Sequence, residues 1–500
     1  MKDIKSKIVL SAILCLAFFI FSERSHAAQT SGGVNWLDPL NYQKPQFYPI
    51  AVPDEASCPN KYYIDQQGGS GTACTQSSPC NWNGLAGKPG TAGGPAYVYV
   101  KGSGSFQRYL NNGVPDLRGS AGNEIVMKPW PGFTATLAYN YVTTSTGTFQ
   151  HIIWDGGRDM GFIFLAGSNS YEGAWNFKYE GSGDNLSHWT FYRTQWRCGD
   201  GLGQLFSALG RSLHMNFINN EFYDCNTGPN DVGHQFYLSG ASNAGSWPND
   251  CGSGNLCACI GYVFRNNIFR DNNNGLEINM RNSPAPYQID GLIIEGNALH
   301  NIGKGLCGTG WACRPAITFS NTSNGNPQWR GVSVKNNLIW DTASGAIWTR
   351  TGNPEIYNNS ITNWGVGSGN VYNQAIGGAG YPSPAVVKNN IIYDGAKDPF
   401  DSSQFTASNN LCASGKSCGS SSRQWSANTV LSIDQNSSTF LTVGANSEAV
   451  DGAITPPALD IDYAGTFRPQ GPAKDIGAYE YVSGASDTTP PSPPAGLAVQ

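Results

Sequence analysis

The sequence FRNNIFRD at residues 264–271 is one copy of a phrase that sets the expected fold. Every copy holds an Asn followed four residues later by Asp or Asn, with short apolar stretches around them. The copies are FINNEFYD (217–224), FRNNIFRD (264–271), IEGNALHN (294–301), VKNNLIWD (334–341), IYNNSITN (356–363) and VKNNIIYD (387–394), with a partial copy, ASNNLC, at 407–412. The shortest Asn-to-Asn steps are 20 residues (390 to 410) and 22 residues (337 to 359). A coil of about 20 residues, with loop insertions where the step is longer, predicts a solenoid.

The residue pattern inside each copy predicts an all-β chain whose coils stack in parallel. β-Branched or aromatic side chains occupy every second position, which is the period of a strand. The repeated Asn side chains are expected to hydrogen-bond from coil to coil inside the solenoid. The Asp four residues later is expected to satisfy backbone N–H groups in a turn.

The charge balance excludes one class of function. Charged residues make up 13% of the chain, with 30 Lys and Arg against 35 Asp and Glu, a net charge of -5. So few charges disfavour long surface helices. The negative balance excludes a general nucleic-acid binder that works through a basic surface. We expect a monomer with no nucleic-acid partner.

Residues 1–27 have the features of a secretory signal peptide. Lys2, Lys5 and Lys7 precede an apolar run at 8–21, and small residues end the segment at 25–27. The run is too short to span a bilayer comfortably, and no later stretch could, so we expect no membrane contact after cleavage. An uncleaved anchor is the alternative. The predicted parts of the mature chain are an N-terminal extension (28–59) and the solenoid domain (60–482).

The cysteines agree with export to an oxidising compartment. Twelve remain after signal cleavage, and four pairs share one spacing, with five residues between the partners. The pairs are Cys74 and Cys80, Cys251 and Cys257, Cys307 and Cys313, and Cys412 and Cys418. We predict disulfides that close small loops at these pairs. The partners of Cys58, Cys198, Cys225 and Cys259 stay open.

Three opening segments and a closing one carry a resemblance to a known family. They are YYIDQQGGSGT (62–72), AYVYVKGSGSF (96–106), GSAGNEIVMKPWPGFTATL (119–137) and FRPQGPAKDIGAYEY (467–481). Together with the NN repeats they resemble the secreted right-handed parallel β-helix family that includes pectate, alginate and chondroitin lyases. The resemblance covers about 60–481 and implies an N-terminal cap followed by coils. It is specific for the fold and not for the activity, because hydrolases, epimerases and adhesins share this solenoid.

Beyond Tyr481 the composition changes. SGASDTTPPSPPAG (483–496) is rich in Ser, Thr and Pro, as extended linkers are. PPSPPAGLAVQ (490–500) resembles the first strand of a fibronectin type III domain, so 483–500 is expected to be a linker that leads into such a segment.

The strands that follow each turn hold the candidate site. They are HQFYLSG (234–240), GLEINMR (275–281), AITFS (316–320) and AIWTR (346–350). If Phe236, Leu276, Ile317 and Ile347 stack inside, the period of two turns Tyr237, Glu277, Thr318 and Trp348 outward. Two residues further along, Ser239, Asn279 and Arg350 also face outward. His234 and Arg281 then lie at the ends of this stripe.

This stripe suits an extracellular polysaccharide. Aromatic faces such as Trp348 pack on sugar rings, Ser239 and Asn279 bind hydroxyls, and Arg350 binds a uronate carboxylate. A lyase needs a cation to neutralise the carboxylate and a base to remove the neighbouring proton. The catalytic candidates are His234, Tyr237, Glu277 and Arg281.

Two other functions remain open. A hydrolase needs two carboxylates about 5 to 9.5 Å apart, and Glu277 has no such partner at the same position of the other three strands. The Asp-Asp, Gly-His-Gly and Arg-Ile-Lys signatures of polygalacturonase-like β-helices are absent. A non-catalytic adhesin or structural surface protein is the other alternative. No cofactor is required, although Asp224, Asp271 and Asp231 are the candidate ligands for Ca2+.

Overall fold

The structure of the chain is a computed structural model. It describes residues 48–109, 112–113, 115–143, 148–166, 173–178, 186–198, 205–209, 212–225, 236–239, 257–272, 275–280, 287–303, 314–321, 328–349, 354–366, 374–378, 385–395, 398–400, 405–413, 415–454 and 459–483. The predicted signal peptide and most of the linker lie outside these ranges.

The described strands form three faces, here called sheets A, B and C, which are parallel except for the short antiparallel pair Gln107–Tyr109 and Asn112–Gly113 in sheet C. Sheet A contains Lys61–Asp65, Ala96–Gly104, Leu117–Arg118, Ile125–Pro129, Phe149–Asp155, Leu186–Tyr192, Ser212–Ile218, Cys257–Ile260, Val263–Arg265, Tyr287–Asp290, Ile293–Glu295, Gln328–Arg330, Ser333–Lys335, Glu355–Tyr357, Ala385–Lys388 and Phe405–Ser408. Sheet B contains Ala135–Ala138, Phe162–Ala166, Gln195–Cys198, Glu221–Tyr223, Ile268–Asn272, Ala298–Ile302, Leu338–Thr342, Ser360–Trp364, Ile391–Ile392, Leu411–Cys412 and Arg423–Gln424. Sheet C contains Gln107–Tyr109, Asn112–Gly113, Asn140–Thr143, Trp175–Lys178, Phe206–Leu209, Phe236–Ser239, Leu276–Met280, Ile317–Asn321, Ile347–Thr349 and Ile376–Gly378.

Each complete coil runs from sheet A to sheet B to sheet C, and successive coils pair in parallel. Sheets A and B are joined through the long strand Ala96–Gly104, which pairs with both, so together they count as one 27-stranded sheet beside the 10-stranded sheet C. The predicted all-β, right-handed parallel β-helix is therefore confirmed. The one described helix is a short 3-10 turn, Trp82–Leu85.

Like side chains stack on one another inside the solenoid. Phe217 and Phe264 lie with ring centroids 4.9 Å apart and an interplanar angle of 4°, and Phe222 and Phe269 lie 4.6 Å apart at 9°. All four rings are fully buried. The alternation of apolar and polar residues read from the sequence thus places one set of side chains in a continuous core.

The second Asn of each repeat forms the predicted ladder. Asn337 shows the pattern: its Oδ1 accepts from the backbone N–H and the Nδ2 of Asn297, both at 2.9 Å. Its own Nδ2 donates to Ile294 O at 3.0 Å and to Asn359 Oδ1 at 2.9 Å. The same links join Asn220, Asn267, Asn297, Asn337, Asn359, Asn390 and Asn410. Each buried amide is thus satisfied by its neighbours above and below.

The first Asn of most repeats faces away from the core and hydrogen-bonds to a segment that packs on the outside of the solenoid. These residues have positive φ values, which Asn tolerates well, and form what we call the outer Asn row. The side chains of Asn336, Asn358, Asn389 and Asn409 donate to carbonyls of a return segment, residues 425–483, at 2.6 to 2.8 Å. Asn219 exchanges two hydrogen bonds with the backbone of Tyr48, which binds the N-terminal segment to sheet A.

The return segment is locked by a buried charged cluster. Arg468 pairs with Glu480 at 3.2 Å, and both side chains are fully buried. Burial raises the pKa of Asp462 to about 6 although Arg468 lies nearby. The carboxylate of Asp475 accepts from the backbone of Asp451 and Tyr481, and burial raises its pKa to about 6 as well. The closing motif quoted above thus has a structural role in fastening this segment.

The open edge of the first sheet A strand is covered by a disulfide loop. Cys80 accepts from Asp65 N–H and donates to Tyr63 O, both at 3.0 Å, on the side of Lys61–Asp65 away from the next coil. Cys74 and Cys80 are bonded, as predicted. Pairing this edge prevents association with another strand.

The other cysteines divide into three groups. Cys412 and Cys418 lie side by side, and the structure assigns an open pair by bonding Cys198 to Cys225. Cys58 is a buried free thiol. The predicted pairs Cys251–Cys257 and Cys307–Cys313 and the partner of Cys259 fall outside the described side chains.

The described residues contain no helix with the length and hydrophobicity that a membrane span requires.

Three histidines form a column on sheet A, here called the His column. His151, His188 and His214 all have left-handed φ values, and their rings stack with centroids 4.3 and 4.5 Å apart. Glycines with positive φ, such as Gly261, Gly291 and Gly331, continue the same bulge in later coils. The ring of His214 fills the space in which a Cβ of Gly261 would lie.

Candidate functional site

Sheet C carries the candidate strands as expected from the sequence. Phe236, Leu276, Ile317 and Ile347 are fully buried, which confirms that they face inward. The residues next to them in each strand therefore point to the outer face.

The register agrees with the expectation at two of the three junctions. Glu277 lies opposite Thr318, and Thr318 opposite Trp348, as predicted. At the third junction the expectation was wrong, because Phe236 pairs with Ile278 rather than Leu276. Relative to the strand Phe236–Ser239, the strand Leu276–Met280 begins two residues earlier in the sheet. Because side chains alternate between faces, a shift of two residues leaves each residue on the same face.

This shift produces two outward rows instead of one stripe. The first row runs Glu277, Thr318, Trp348, Gly377. The second row runs Tyr141, Asn176, Ser207, Tyr237, Asn279, Ser320. Sequence reasoning missed Tyr141, Asn176 and Ser207 because their coils lack the NN phrase that marks the later ones.

The described side chains in these rows are largely covered. Thr318 is 3% exposed and Trp348 is 7% exposed. The indole of Trp348 lies over the next strand, where a Cβ on Gly377 would be 2.4 Å from two of its ring carbons. Asn176 and Ser207 are also buried, and the amide of Asn176 exchanges hydrogen bonds with the backbone of Gly173. Trp348 thus occupies the predicted row, with one ring face lying on the next coil.

The remaining site residues are placed by backbone alone or lie outside the description. Tyr237, Ser239, Glu277 and Asn279 have described backbones on sheet C, without described side chains. His234, Arg281 and Arg350 lie outside the described residues.

A charged cluster lies at the neighbouring end of sheet B. Arg270 contacts the carboxylate of Glu221, which is fully buried, at 2.6 Å. It also contacts the carboxylate of Asp271, which is partly exposed, at 2.6 Å. Asn301 also donates to Asp271. Burial would raise the pKa of Asp271, but these hydrogen bonds and the charge of Arg270 hold it below its usual value.

This cluster does not have the composition of a calcium site. Asp224 directly follows the strand Glu221–Tyr223, and Asp271 lies within the paired strand Ile268–Asn272 of the next coil. Arg270 and Asn301 already occupy the carboxylate of Asp271. Asp231, the third candidate ligand, lies outside the described residues. Among the described side chains, no three His, Cys, Asp or Glu residues could together hold a metal ion.

Comparisons with known proteins identify the fold. No protein-family model matches the chain, and no curated protein does. The chain is similar to the crystal structure of pectate lyase Pel9A, with a TM-score of 0.54 and 13% identity over 85% of this chain and 97% of that one. A rhamnogalacturonan lyase gives a TM-score of 0.42 with 15% identity over 75% and 91% of the two chains. The likeness to Pel9A shows a shared β-helix fold.

Proposed function

We propose that the chain is a secreted β-helix protein that binds an acidic polysaccharide on the outer face of sheet C and cleaves it by β-elimination. The observation that carries this proposal is the backbone register that sets Tyr237 beside Asn279, next to the row of Glu277. Tyr237 and Asn279 thus belong to neighbouring coils, which lie about 4.8 Å apart, and Glu277 precedes Asn279 by two residues on the same strand. The fold shared with a pectate lyase supports the same reaction class.

The elimination assigns two tasks to this face. A cation neutralises the uronate carboxylate, which makes the proton on the adjacent carbon more acidic. A base removes that proton, the electron pair forms the carbon–carbon double bond, and the glycosidic oxygen leaves and takes up a proton. Arg281 directly follows the strand Leu276–Met280 in the sequence, and it is the proposed neutralising group, with Tyr237 or His234 as the base.

The register favours elimination over hydrolysis. A hydrolase needs a second carboxylate within about 5 to 9.5 Å of the first. On the C-terminal side of Glu277 the same row continues with Thr318 and Trp348, neither of which is acidic. Glu277 is therefore assigned to substrate hydroxyls or to orienting the base.

Secretion and the monomeric state belong to the same proposal. The observed disulfides suit an oxidising compartment. The N-terminal 27 residues would direct export and leave a soluble monomer.

Purified protein without residues 1–27 and a panel of acidic polysaccharides test this function. The ultraviolet absorbance of the unsaturated sugar end should rise on at least one of them. Tyr237→Phe or Arg281→Ala should lower the rate at least about 100-fold, the usual contribution of a positioned acid–base group. The matched control is Tyr357→Phe on sheet A, which should keep the wild-type rate. Equal rates in Tyr237→Phe, Arg281→Ala and the control would contradict the proposal that the active site lies on sheet C.

The burial of Thr318 and Trp348 favours a second candidate function, non-catalytic adhesion. An outer face whose side chains are buried suits a structural role better than the binding of a polysaccharide chain. Binding to an acidic polysaccharide without any unsaturated product would support this alternative.

A further inference from the structure

The disulfide Cys198–Cys225 lies where the chain turns from sheet B toward sheet C. Cys198 ends the strand Gln195–Cys198, and Cys225 follows Glu221–Tyr223 in the next coil. Both side chains are buried, and their Cα atoms are 4.7 Å apart, close to the spacing of neighbouring strands. The bond therefore joins the same turn of two successive coils from inside.

A pair of hydrogen bonds extends this link to a third coil. Cys225 N–H donates to Asn272 Oδ1 at 2.9 Å, and Asn272 Nδ2 donates to Phe222 O at 3.0 Å. Asn272 is fully enclosed with 1% exposure. In the next coils Ile302 takes the position of Asn272, and then Thr342, which donates instead to Ser344 O within its own coil.

The three linked turns precede the central strands of the candidate site. After Cys198 the chain enters sheet C at Phe206–Leu209, after Cys225 at Phe236–Ser239, and after Asn272 at Leu276–Met280. These are the strands in which Tyr237 lies beside Ser207 on one side and Asn279 on the other.

We infer that Cys198, Cys225 and Asn272 are positioning residues that fix the register of the strands bearing Tyr237 and Asn279. The inference rests on the proposed function for its catalytic meaning, while its structural part stands alone. A slip by one residue would turn Tyr237 into the core, and a slip by two would bring it opposite Glu277. A covalent bond between two of the turns excludes such slips more firmly than packing and hydrogen bonds alone. Reduction of this bond thus offers a chemical means of weakening the site without dismantling the solenoid.

The test compares two double variants of the mature chain by amide hydrogen exchange and by product formation. Cys198→Ser with Cys225→Ser should speed exchange in Phe236–Ser239 and Leu276–Met280 about tenfold. It should lower kcat by a similar factor, because the reacting groups lose their alignment. Asn272→Ala keeps the disulfide and should speed exchange mainly in Leu276–Met280.

The matched control is Cys74→Ser with Cys80→Ser, which removes the disulfide at the far edge of sheet A. It should speed exchange in Lys61–Asp65 and leave both site strands and kcat unchanged. Unchanged exchange in the site strands of the Cys198–Cys225 variant would overturn the inference. An absence of product with the wild-type protein would instead contradict the proposed function, and the exchange data would still decide the inference.

Discussion

Replacing Asn337 by Ala tests how strongly the Asn ladder stabilises the solenoid. The substitution removes four hydrogen bonds: two accepted from Asn297 and two donated to Ile294 O and Asn359 Oδ1. All of them are buried, and each contributes about 1 kcal/mol net, so the expected loss is about 4 kcal/mol. Water entering the small cavity would satisfy some of the freed groups and lower this figure.

Urea unfolding followed by tryptophan fluorescence measures the effect. The control is Asn428→Ala, which makes the same chemical change at an exposed position and should cost under about 0.5 kcal/mol. A third variant, Asn337→Asp, keeps the shape and loses both donors, so it should be destabilised at least as much at neutral pH. Equal midpoints for Asn337→Ala and Asn428→Ala would refute the stabilising role of the ladder.

Three further predictions concern charge and packing. The raised pKa of Asp462, about 6 against 3.8 in its ordinary state, means that the folded chain binds this proton more tightly than the unfolded chain. This proton should thus stabilise the return segment most below about pH 4, and the segment should lose up to about 3 kcal/mol of stability by pH 6. Amide hydrogen exchange in residues 459–483, corrected for the intrinsic effect of pH on the exchange rate, should become faster over this range. Burial lowers the pKa of His151, so the folded chain binds this proton less tightly than the unfolded chain and loses stability as the pH falls below about 6.5. His151→Gly, at a position whose positive φ suits glycine, should reduce the drop in Tm between about pH 7.5 and 5. Gly377→Ala would place a Cβ against the ring of Trp348, and the displaced indole should lower stability by about 1–3 kcal/mol and change the near-ultraviolet circular dichroism. Unchanged exchange, an unchanged pH dependence and an unchanged spectrum would contradict these three predictions in turn.

The repeat made the solenoid and its ladder predictable because both depend on local rules. The second Asn of each phrase must be buried where apolar residues alternate, and only a neighbour above and below can satisfy its amide. Before residue 213 the phrase is missing, and Thr194 takes the ladder position by donating to Asn220 Oδ1 at 2.7 Å. The repeat therefore does not reveal which residues of those earlier coils, such as Asn176 and Ser207, lie on sheet C.

Other features depend on the length and course of the connecting turns. Alternation fixes which face Tyr237 occupies, but it cannot distinguish Asn279 from Glu277 as its neighbour, because both point the same way. The pairing of Cys198 with Cys225 follows from two turns that lie one coil apart, a relation that spacing in the sequence does not reveal. The buried charged cluster around Arg468 forms because the chain returns along the outer Asn row. No repeat in the sequence predicts that return.

The mass balance of cleavage is the most direct test of β-elimination on sheet C. An acidic oligosaccharide of defined length is incubated with the mature protein, and the products are weighed by mass spectrometry. Elimination predicts product masses that add up to the substrate mass, with the unsaturated end on one fragment, and their loss in Tyr237→Phe. Products that together weigh one water more would identify a hydrolase, and an intact oligosaccharide across the acidic panel would contradict the lyase and favour the adhesive function.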